Sequence, residues 1–299
     1  MGALGAEYRC PVADIRDATW DDFEAVFELL DSRSRAAFGI SEQKREYLRQ
    51  RWELASTGKW VADEDGAVVG YAGLDEDHDF VLAAPRPEVG DALLAHVEHQ
   101  ARGRGFVHLA ATAVPEDEPL YAALQRNGYT LDREIFRMWR LLDGDLPEPV
   151  WADGFSVRSY TGEDAERVQA LLDEAYAGWD RDYVARSHEG WLSFMTAHDD
   201  FDPDVWFLVE RDGELDACAL HWKESQGRGW VKDIVVREGE RGRGLGKALL
   251  HHAFRVYAKR GVERVGLKVD STNPTGAPQL YERLGFVTDQ RLGIWMKRL

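Results

Sequence analysis

The sequence has few cysteines and no long apolar run. Cys10 and Cys218 are its only cysteines, too few and too far apart for a disulfide framework or a zinc cluster, so we expect no metal. No stretch of about 18 apolar residues appears that could cross a membrane. The first ten residues also lack the basic start and apolar stretch of a signal peptide. These absences predict a cytoplasmic protein without a membrane partner.

Positive charge is also scarce. Aspartate and glutamate number 54 against 37 lysines and arginines, and the formal net charge is −17. Such a field opposes the binding of nucleic acid and attracts small cations. We therefore expect no nucleic-acid partner, although an acidic surface can also serve solubility alone.

What the chain does contain is a faint internal repeat. The stretch "DIRDATWDDFEAVFELL" lies over "SVRSYTGEDAERVQALL", the turn dipeptide Asp65-Gly66 matches Asp212-Gly213, and "LYAAL" matches "LYERL" further on. The spacing between matched residues grows only in steps, as loop insertions would make it grow. We predict two tandem domains, residues 12–142 and 154–299, joined by a linker at 143–153 that is rich in proline, glycine and acids.

Each half predicts the same order of elements. A short strand is followed by one or two helices, a hairpin meander, a strand leading into a helix, another strand, a further helix and a closing strand. In the second half, "WVKDIVV" predicts a strand, residues 248–260 predict a helix that Gly261 ends, and "RVGLKV" predicts the next strand. The fold class is therefore α/β with mixed, partly α+β sheets in two domains.

The stretch "RGRGLGKALL", residues 241–250, places three glycines between a strand and a helix. A helix start offers unpaired amides to an anion, and glycines allow a phosphate to approach them, although glycines also serve a tight turn alone. The Walker phosphate loop does not fit, because Arg241 stands where its first glycine belongs. The dinucleotide pattern does not fit either, because Lys247 stands in place of its third glycine.

Two motifs resemble the GNAT N-acetyltransferases. The first is Arg241-x-x-Gly244-x-Gly246 directly after a strand, and the second is "VDSTNPTGAPQLYERLGF", with an asparagine-bearing loop and a tyrosine-bearing helix. The resemblance implies acetyl-CoA as co-substrate, a small-molecule amine as acceptor, and a monomer or homodimer. The tandem layout is similar to that of the mycothiol synthases, which acetylate a cysteinyl amine.

The resemblance also implies roles for particular residues. Strand backbone would pair with the pantetheine arm of coenzyme A, loop amides would hold its pyrophosphate, and the later motif would complete the site. These cofactor-binding residues are Ile234, Val235, Val236, Arg241, Gly242, Arg243, Gly244, Leu245, Gly246, Lys247 and Asn273.

Two residues are expected to carry chemistry. The resemblance makes Tyr281 the acid that protonates the departing thiolate, with simple core packing as the alternative. Asp233 is a candidate base or amine anchor, since an acid in an apolar strand is costly unless it is paired or solvated. Strand alternation argues against a pair between Asp233 and Lys232. A water-relayed proton and a surface charge remain open for Asp233.

The first half departs from the cofactor motif. Aligning the two helices puts Pro85 opposite Arg241 and Glu88 opposite Gly244. Proline lacks an amide, and a glutamate would repel pyrophosphate. We expect a degenerate amino-terminal domain that supports the fold or shapes the acceptor pocket, and catalysis in the carboxy-terminal one.

The acceptor pocket is the least determined part. Aromatic and polar residues near the strand would suit an aromatic or amphipathic amine, although tryptophans are more often core residues. These residues are Trp179, Asp180, His221, Trp222 and Trp230. Trp230 stands where a mycothiol synthase would be expected to carry a glutamate. A coenzyme A-binding sensor without turnover is the remaining alternative.

Overall fold

The computed structural model describes residues 13–39, 41, 43–53, 58–178, 183–197, 199–225 and 227–299. The chain forms two compact units. Residues up to Glu134 and the segment Leu292–Leu299 form the amino-terminal unit, and Ile135–Arg291 form the carboxy-terminal unit. The predicted domains follow the order of the chain, whereas each compact unit includes a short segment from the other half of the sequence.

Both halves contain the predicted order of elements. In the first half these are β1 (Asp14–Asp17), α1 (Phe23–Phe38), α2 (Arg45–Glu53), β2 (Gly58–Glu64), β3 (Ala67–Leu74), β4 (Phe80–Ala83), α3 (Pro87–Gly103), β5 (His108–Ala113), α4 (Glu118–Arg126) and β6 (Thr130–Leu141). In the second half they are β7 (Ser156–Ser159), α5 (Ala165–Ala177), α6 (His188–Thr196), β8 (Phe207–Arg211), β9 (Glu214–Ser225), β10 (Arg228–Val236), α7 (Leu245–Lys259), β11 (Arg264–Asp270), α8 (Ala277–Arg283) and β12 (Val287–Arg298).

The strands of the amino-terminal unit form an antiparallel meander in the order β1-β2-β3-β4. A parallel bridge between Asp79 and Ala110 links the start of β4 to β5. The far side of β5 pairs antiparallel with the end of the chain, residues 293–298 of β12. This last strand buries Trp295 in a core built from residues of the first half.

The carboxy-terminal unit repeats that arrangement. The meander β7-β8-β9-β10 is antiparallel, β10 pairs in parallel with β11, and β11 pairs antiparallel with residues 135–141 of β6. Helices α5 and α7 both pack on β9 and β10. The mixed α/β class predicted from the sequence is confirmed.

The hairpin turns show the repeat at the level of the backbone. Asp65 and Gly66 adopt φ angles of 52° and 86°, and Asp212 and Gly213 adopt 52° and 83°. Positive φ at both central residues is the geometry that two-residue hairpins favour, and Asp-Gly is a common sequence for it. The matched dipeptides therefore form matched turns.

An ion cluster also recurs before the first long helix of each half. Arg16 pairs with Asp22 at 2.7 Å and with Asp63 at 2.8 Å. Arg158 pairs with Asp164 at 2.6 Å and with Glu210 at 2.8 Å. Each aspartate also accepts a hydrogen bond from the backbone of a threonine three residues earlier, which forms a capping box. We call these two groups the capping clusters.

Candidate active site

Strand β10 separates from β11 before it ends. It pairs with β9 as far as Val236, but with β11 only from Arg228 to Val231. Beyond Val231, the backbone edge of β10 that faces β11 has no strand partner in the described part of the chain. An extended molecule can add to such an edge as a further strand. Ile234 and Val235, expected to contact pantetheine, lie on this open edge.

A β-bulge reverses the alternation of side chains within β10. The pairing with β9 shifts between Val231 and Asp233. A Cβ on Gly229 would meet the ring of Tyr257 on α7, and a Cβ on Gly246 of the same helix would lie 3.8 Å from the side chain of Val236. Gly229 and Val236 are seven positions apart, whereas regular alternation puts only even spacings on one face.

The bulge overturns one expectation from the sequence. Strand alternation predicted that Lys232 and Asp233 point apart, but the Lys232 ammonium lies 3.2 Å from a carboxylate oxygen of Asp233. The prediction was wrong because it assumed an unbroken strand, and a bulge is not visible in the residue types. The ammonium supplies a positive partner for a carboxylate that is only 7% exposed.

Asp233 is held by a second donor. The hydroxyl of Tyr176 on α5 donates a hydrogen bond to the other carboxylate oxygen. Burial and the charge of Asp233 raise the pKa of Tyr176, so its phenol stays protonated and remains a donor. The Tyr176 ring stacks on Tyr183 with 5.5 Å between centroids. The carboxylate is thereby fixed in one orientation.

Tyr281 lies close to this group. It is 6% exposed on α8, and its ring packs against Phe286 with 5.7 Å between centroids. Burial raises the pKa of Tyr281, and the charge of Asp233 raises it further. The phenol therefore keeps its proton well above neutral pH. Its hydroxyl has no hydrogen-bond partner among the residues that the structure describes.

The glycine-rich loop has the backbone that the sequence suggested. Gly242 and Gly244 adopt positive φ angles of 79° and 81°, and Gly244 caps the start of α7. Gly246 lies in the first helical turn, where the amides have no acceptor within the helix. The residues from Arg241 to Gly244 are exposed. This is the geometry of an anion site at a helix start.

The basic side chains of the loop are partly tied to the protein. Arg241 donates to the carbonyl of Val236 at 3.2 Å, and Arg243 lies 3.0 Å from a carboxylate oxygen of Glu240. Lys247 is exposed. The two guanidinium groups are therefore held beside the loop, and the backbone amides of the loop remain as hydrogen-bond donors for an anion.

Asn273 has a structural task of its own. Its side-chain oxygen accepts a hydrogen bond from the Thr275 amide at 3.0 Å, which forms an Asx turn before α8. Gly276 then caps α8 with a φ angle of 75°. The loop from strand β11 to α8 is ordered by these contacts, and Asn273 is half-buried within it.

The predicted acceptor residues fall into three groups. Trp179 and Asp180 lie outside the described residues. His221 is 0% exposed and lies between the rings of Phe207 and Tyr257, so it belongs to the core and does not line a pocket. Burial lowers the pKa of His221 to about 3, which keeps it neutral. Its placement corrects the expectation that it contacts an acceptor.

Trp222 and Trp230 face each other across neighbouring strands and are half-buried. Trp230 meets Trp139 edge to face, with 5.5 Å between ring centroids. Gly266 lies between these two rings, and a Cβ there would come within 2.7 Å of both. Gly266 thus leaves room for the two tryptophans to meet over β11. The sequence did not suggest Trp139 as a neighbour.

The amino-terminal unit lacks the equivalent loop. Only Ala84, Pro85 and Arg86 connect β4 to α3, and α3 already begins at Pro87. The connection from β10 to α7 has eight residues, 237–244. The cap of α3 is Arg86, whereas the cap of α7 is Gly244, the residue aligned with Glu88, so α3 starts two residues earlier relative to the alignment than α7 does.

The structure adds two negative findings. The described residues contain no group of three or more histidine, cysteine, aspartate or glutamate side chains that could hold a metal ion. No helix within the described part of the chain is long and apolar enough to cross a membrane.

Comparison with known families identifies the class. The acetyltransferase (GNAT) family matches residues 13–129 and again 165–286. The chain therefore belongs to the GNAT family, with two GNAT domains in tandem, and is an acetyltransferase. Members of this family use acetyl-CoA.

Individual relatives of known type are similar to the chain over most of its length. The chain is 35% identical to the mycothiol acetyltransferase of Streptomyces avermitilis over 292 residues, which is 89% of each chain. It is 35% identical to that of Kineococcus radiotolerans over 289 residues, 89% of this chain and 90% of the relative.

Solved structures agree on the fold. A GCN5-related N-acetyltransferase from Sphaerobacter thermophilus superimposes with a TM-score of 0.74 at 26% identity, covering 95% of both chains. A tandem GNAT protein from the clavulanic acid biosynthesis pathway superimposes with a TM-score of 0.72 at 20% identity, covering 95% of this chain and 97% of that chain.

Proposed function

We propose that the protein transfers the acetyl group of acetyl-CoA to the primary amine of a small molecule, and that the carboxy-terminal unit carries the reaction. The observation that carries the proposal is the meeting of three features at one end of β10. These are an open strand edge, a helix start with a glycine loop, and the buried pair Asp233 and Tyr281.

Coenzyme A would bind along the open edge and the loop. The pantetheine amides would pair with the backbone of Ile234, Val235 and Val236. The pyrophosphate would accept hydrogen bonds from the amides of residues 242–247, with help from the helix dipole. The Arg241 amide is not available, because it donates to the carbonyl of Glu238 at 3.2 Å. Asn273 contributes by holding the loop that leads into α8.

The reaction then needs a neutral amine and an acid. The amine nitrogen attacks the thioester carbonyl carbon, the C–N bond forms and the C–S bond breaks. Tyr281 protonates the departing thiolate, and the proton released from the amine returns to the phenol through Asp233 or water. Because Tyr176 and Lys232 hold the Asp233 carboxylate, Asp233 is oriented to receive the ammonium of the acceptor.

The acceptor would lie beside the tryptophans of the sheet. Trp230 and Trp139 offer partly exposed aromatic surface. The Lys232–Asp233 pair, which the bulge brings together, begins two residues after Trp230 along β10. An amine that carries an aromatic ring or another flat apolar group would pack on this surface.

A second acceptor is favoured by the relatives. Two mycothiol acetyltransferases are 35% identical to this chain over most of its length. Their reaction would make the acceptor a cysteinyl amine on a sugar-linked thiol. Trp230 stands where such an enzyme would be expected to carry a glutamate, so the two acceptors make different demands on this position.

The test measures acetylated product by mass spectrometry and free coenzyme A by chromatography. Purified protein is given acetyl-CoA with tryptamine, tyramine, a linear alkylamine or the cysteinyl glucosaminyl-inositol. We expect turnover with an aromatic amine, and a KM for it that rises about tenfold in Trp230→Ala but stays near wild type in Trp230→Phe.

The outcomes separate the candidates. A kcat/KM at least about 100-fold higher for the cysteinyl acceptor than for every other amine, a gap of roughly 2.7 kcal/mol, favours the second acceptor. Binding of coenzyme A without release of thiol from acetyl-CoA, with any amine, contradicts the transferase proposal and indicates a sensor.

A further inference from the structure

The amino-terminal unit contains a groove that the proposed reaction does not use. It has a volume of about 630 Å³ and lies between α1, the starts of α3 and α4, the start of β3 and the end of β4. All of its lining residues belong to this unit. A volume of this size is typical of sites for small molecules.

The walls of the groove are mostly apolar. Leu29, Val68, Leu82 and Leu120 line it, and the small side chain of Ala36 leaves one stretch of α1 open to it. Ala36 is exposed, so the groove can be reached from solvent along α1. A ligand would gain most of its affinity by removing apolar surface from water.

The charges around the groove are unbalanced. Arg33 lies 2.5 Å from a carboxylate oxygen of Asp117, which is only 4% exposed, so these two charges neutralise each other. Glu28 and Glu116 also line the groove and add negative charge. Arg45 balances Glu28 only in part, because it also pairs with Glu24. The excess at this groove favours a cation over an anion.

The end of the groove near α3 cannot cradle a phosphate as the other unit can. Pro85 and Pro87 have no amide hydrogen. The amide of Gly90 is already bonded to the carbonyl of Arg86. The guanidinium of Arg86 turns away to Glu64, at 2.9 Å. The first turn of α3 keeps the amides of Glu88 and Val89 as donors, but the Glu88 carboxylate repels a pyrophosphate.

We propose that this groove is a second binding site, which takes a small, mainly apolar molecule with one positive charge, such as an alkyl or aryl amine, and excludes coenzyme A. The site is separate from the proposed active site. Its apolar wall supplies the affinity, the acidic residues select the cation, and the short proline-flanked connection rejects the cofactor.

The test compares three ligands of equal chain length by calorimetry: n-octylamine, n-octanol and n-octyl sulfate. We expect the full-length protein to bind one octylamine per chain at the groove, octanol more weakly, and octyl sulfate weakest. Ala36→Trp fills the groove, and Ala36→Ser is the matched control that keeps its volume. Octylamine affinity should fall at least about tenfold in Ala36→Trp, as loss of most buried apolar contact requires, and stay unchanged in Ala36→Ser.

A charge variant distinguishes the contribution of the ligand's positive charge from that of its alkyl chain. Glu28→Gln with Glu116→Gln should lower octylamine affinity about two- to fivefold, as expected for exposed charges, and leave octanol affinity unchanged. Ser32→Phe is a second filling variant, in case Ala36→Trp does not fold by its thermal melt. Ser32 also lines the groove and is exposed.

Three results would overturn the proposal. The first is equal octylamine affinity in the filling variant and in Ala36→Ser. The second is octyl sulfate binding at the groove as tightly as octylamine. The third is a coenzyme A titration with two sites per chain in the wild type and one in the filling variant. The calorimetric readout does not depend on turnover, so failure of the transferase proposal leaves this test intact.

Discussion

Tyr281 and Tyr121 occupy matched positions of the two repeats, yet their surroundings differ. Tyr281 is buried close enough to Asp233 for that charge to raise its pKa. Tyr121 instead packs edge-on against Trp295, with 4.9 Å between ring centroids. The same residue type is thus available for acid chemistry in one unit and serves packing in the other.

The proposed acid role predicts the effect of removing one hydroxyl. Tyr281→Phe keeps the ring and its burial but removes the proton, so kcat should fall about 10²- to 10⁴-fold with little change in acetyl-CoA affinity. Tyr121→Phe is the matched control and should leave kcat unchanged. Single-turnover kinetics check that chemistry is measured, and a Tyr281→Phe protein that keeps more than about half of the wild-type rate would contradict the role.

The raised pKa of Tyr281 adds a pH dependence. A catalytic phenol must be protonated, so the rate falls as pH rises through its pKa. Because burial and Asp233 raise this pKa, the falling limb should lie above about 10, the ordinary value for tyrosine. The limb should be absent from the residual activity of Tyr281→Phe. A limb below pH 9 that both proteins share would have another cause.

Gly246 offers a clean test of the anion site. Gly242 and Gly244 have positive φ, so any side chain there adds strain, whereas Gly246 is helical and a Cβ would lie 3.7 Å from Leu280 in ordinary contact. An aspartate in the first turn favours the helix but repels pyrophosphate. Gly246→Asp should therefore keep the melting temperature of Gly246→Ala while coenzyme A affinity falls about tenfold or more. Calorimetric affinities within threefold of each other would argue against the site.

The residue types predicted the glycine loop of the candidate site but not the bulge in β10. The Arg241-x-x-Gly244-x-Gly246 spacing predicted a loop between a strand and a helix, and in it Gly242 and Gly244 have positive φ while Gly246 lies in the first turn of α7. The pairing of Lys232 with Asp233 could not be predicted, because it depends on a bulge set by how β9 and β10 meet. The sequence also did not suggest that Tyr176 contacts Asp233, because a tyrosine on the inner face of a helix is usually a core residue.

At the scale of elements, the capping clusters tie the start of each domain to its hairpin. The Asp22 carboxylate accepts from Thr19 and from Arg16, and Arg16 also reaches Asp63 on β2. The Arg16 guanidinium is the main cause that holds the pKa of Asp22 down at about 2. The cluster recurs at positions that the sequence repeat aligns, but the alignment did not indicate that these residues contact one another.

These clusters predict a local loss of stability. Asp22→Ala and Asp164→Ala should each lower the free energy of unfolding of their own unit by about 1–2 kcal/mol, through the lost cap and ion pairs. Asp21→Ala and Glu163→Ala are matched controls, since both residues are exposed in the same turns. Hydrogen exchange, resolved by peptide, assigns each loss to a unit. Equal losses in the control variants would contradict the prediction.

The same cluster makes the stability of the fold depend on pH in the acid range. A carboxyl with a lowered folded pKa stabilises the fold above its ordinary pKa of 3.8, and that contribution is lost as the pH falls through the folded value, about 2. The stability difference between wild type and Asp22→Ala should therefore be full at pH 6 and shrink between about pH 4 and pH 2. A difference that does not change over this range would show that the charge is not involved.

At the scale of the whole molecule, the two units exchange segments. Residues 292–299 follow the last helix of the second half but belong to the amino-terminal unit, where Trp295 is buried and Lys297 pairs with Glu98 at 2.7 Å. Residues 135–141 pair with β11 in the carboxy-terminal unit. Hydrophobic alternation locates these strands in the sequence, but it does not say which sheet each will join.

The exchange of segments predicts which unit loses stability when residues 292–299 are removed. A chain that ends at Arg291 should lose hydrogen-exchange protection in β5 and α3 of the amino-terminal unit, while β9 and α7 stay protected. Full-length Trp295→Ala should show a milder loss at the same places, of about 3–5 kcal/mol for one large core side chain. Loss of protection confined to the carboxy-terminal unit would contradict the assignment of the last strand.

This exchange of strands also bears on how such a chain can evolve. A gene made by joining two copies of one domain could at first be separated again into two working halves. Once each copy supplies a strand to the sheet of the other, a break at the linker leaves either product without part of its own sheet. The duplication then becomes irreversible, because each half needs a strand from the other to complete its sheet.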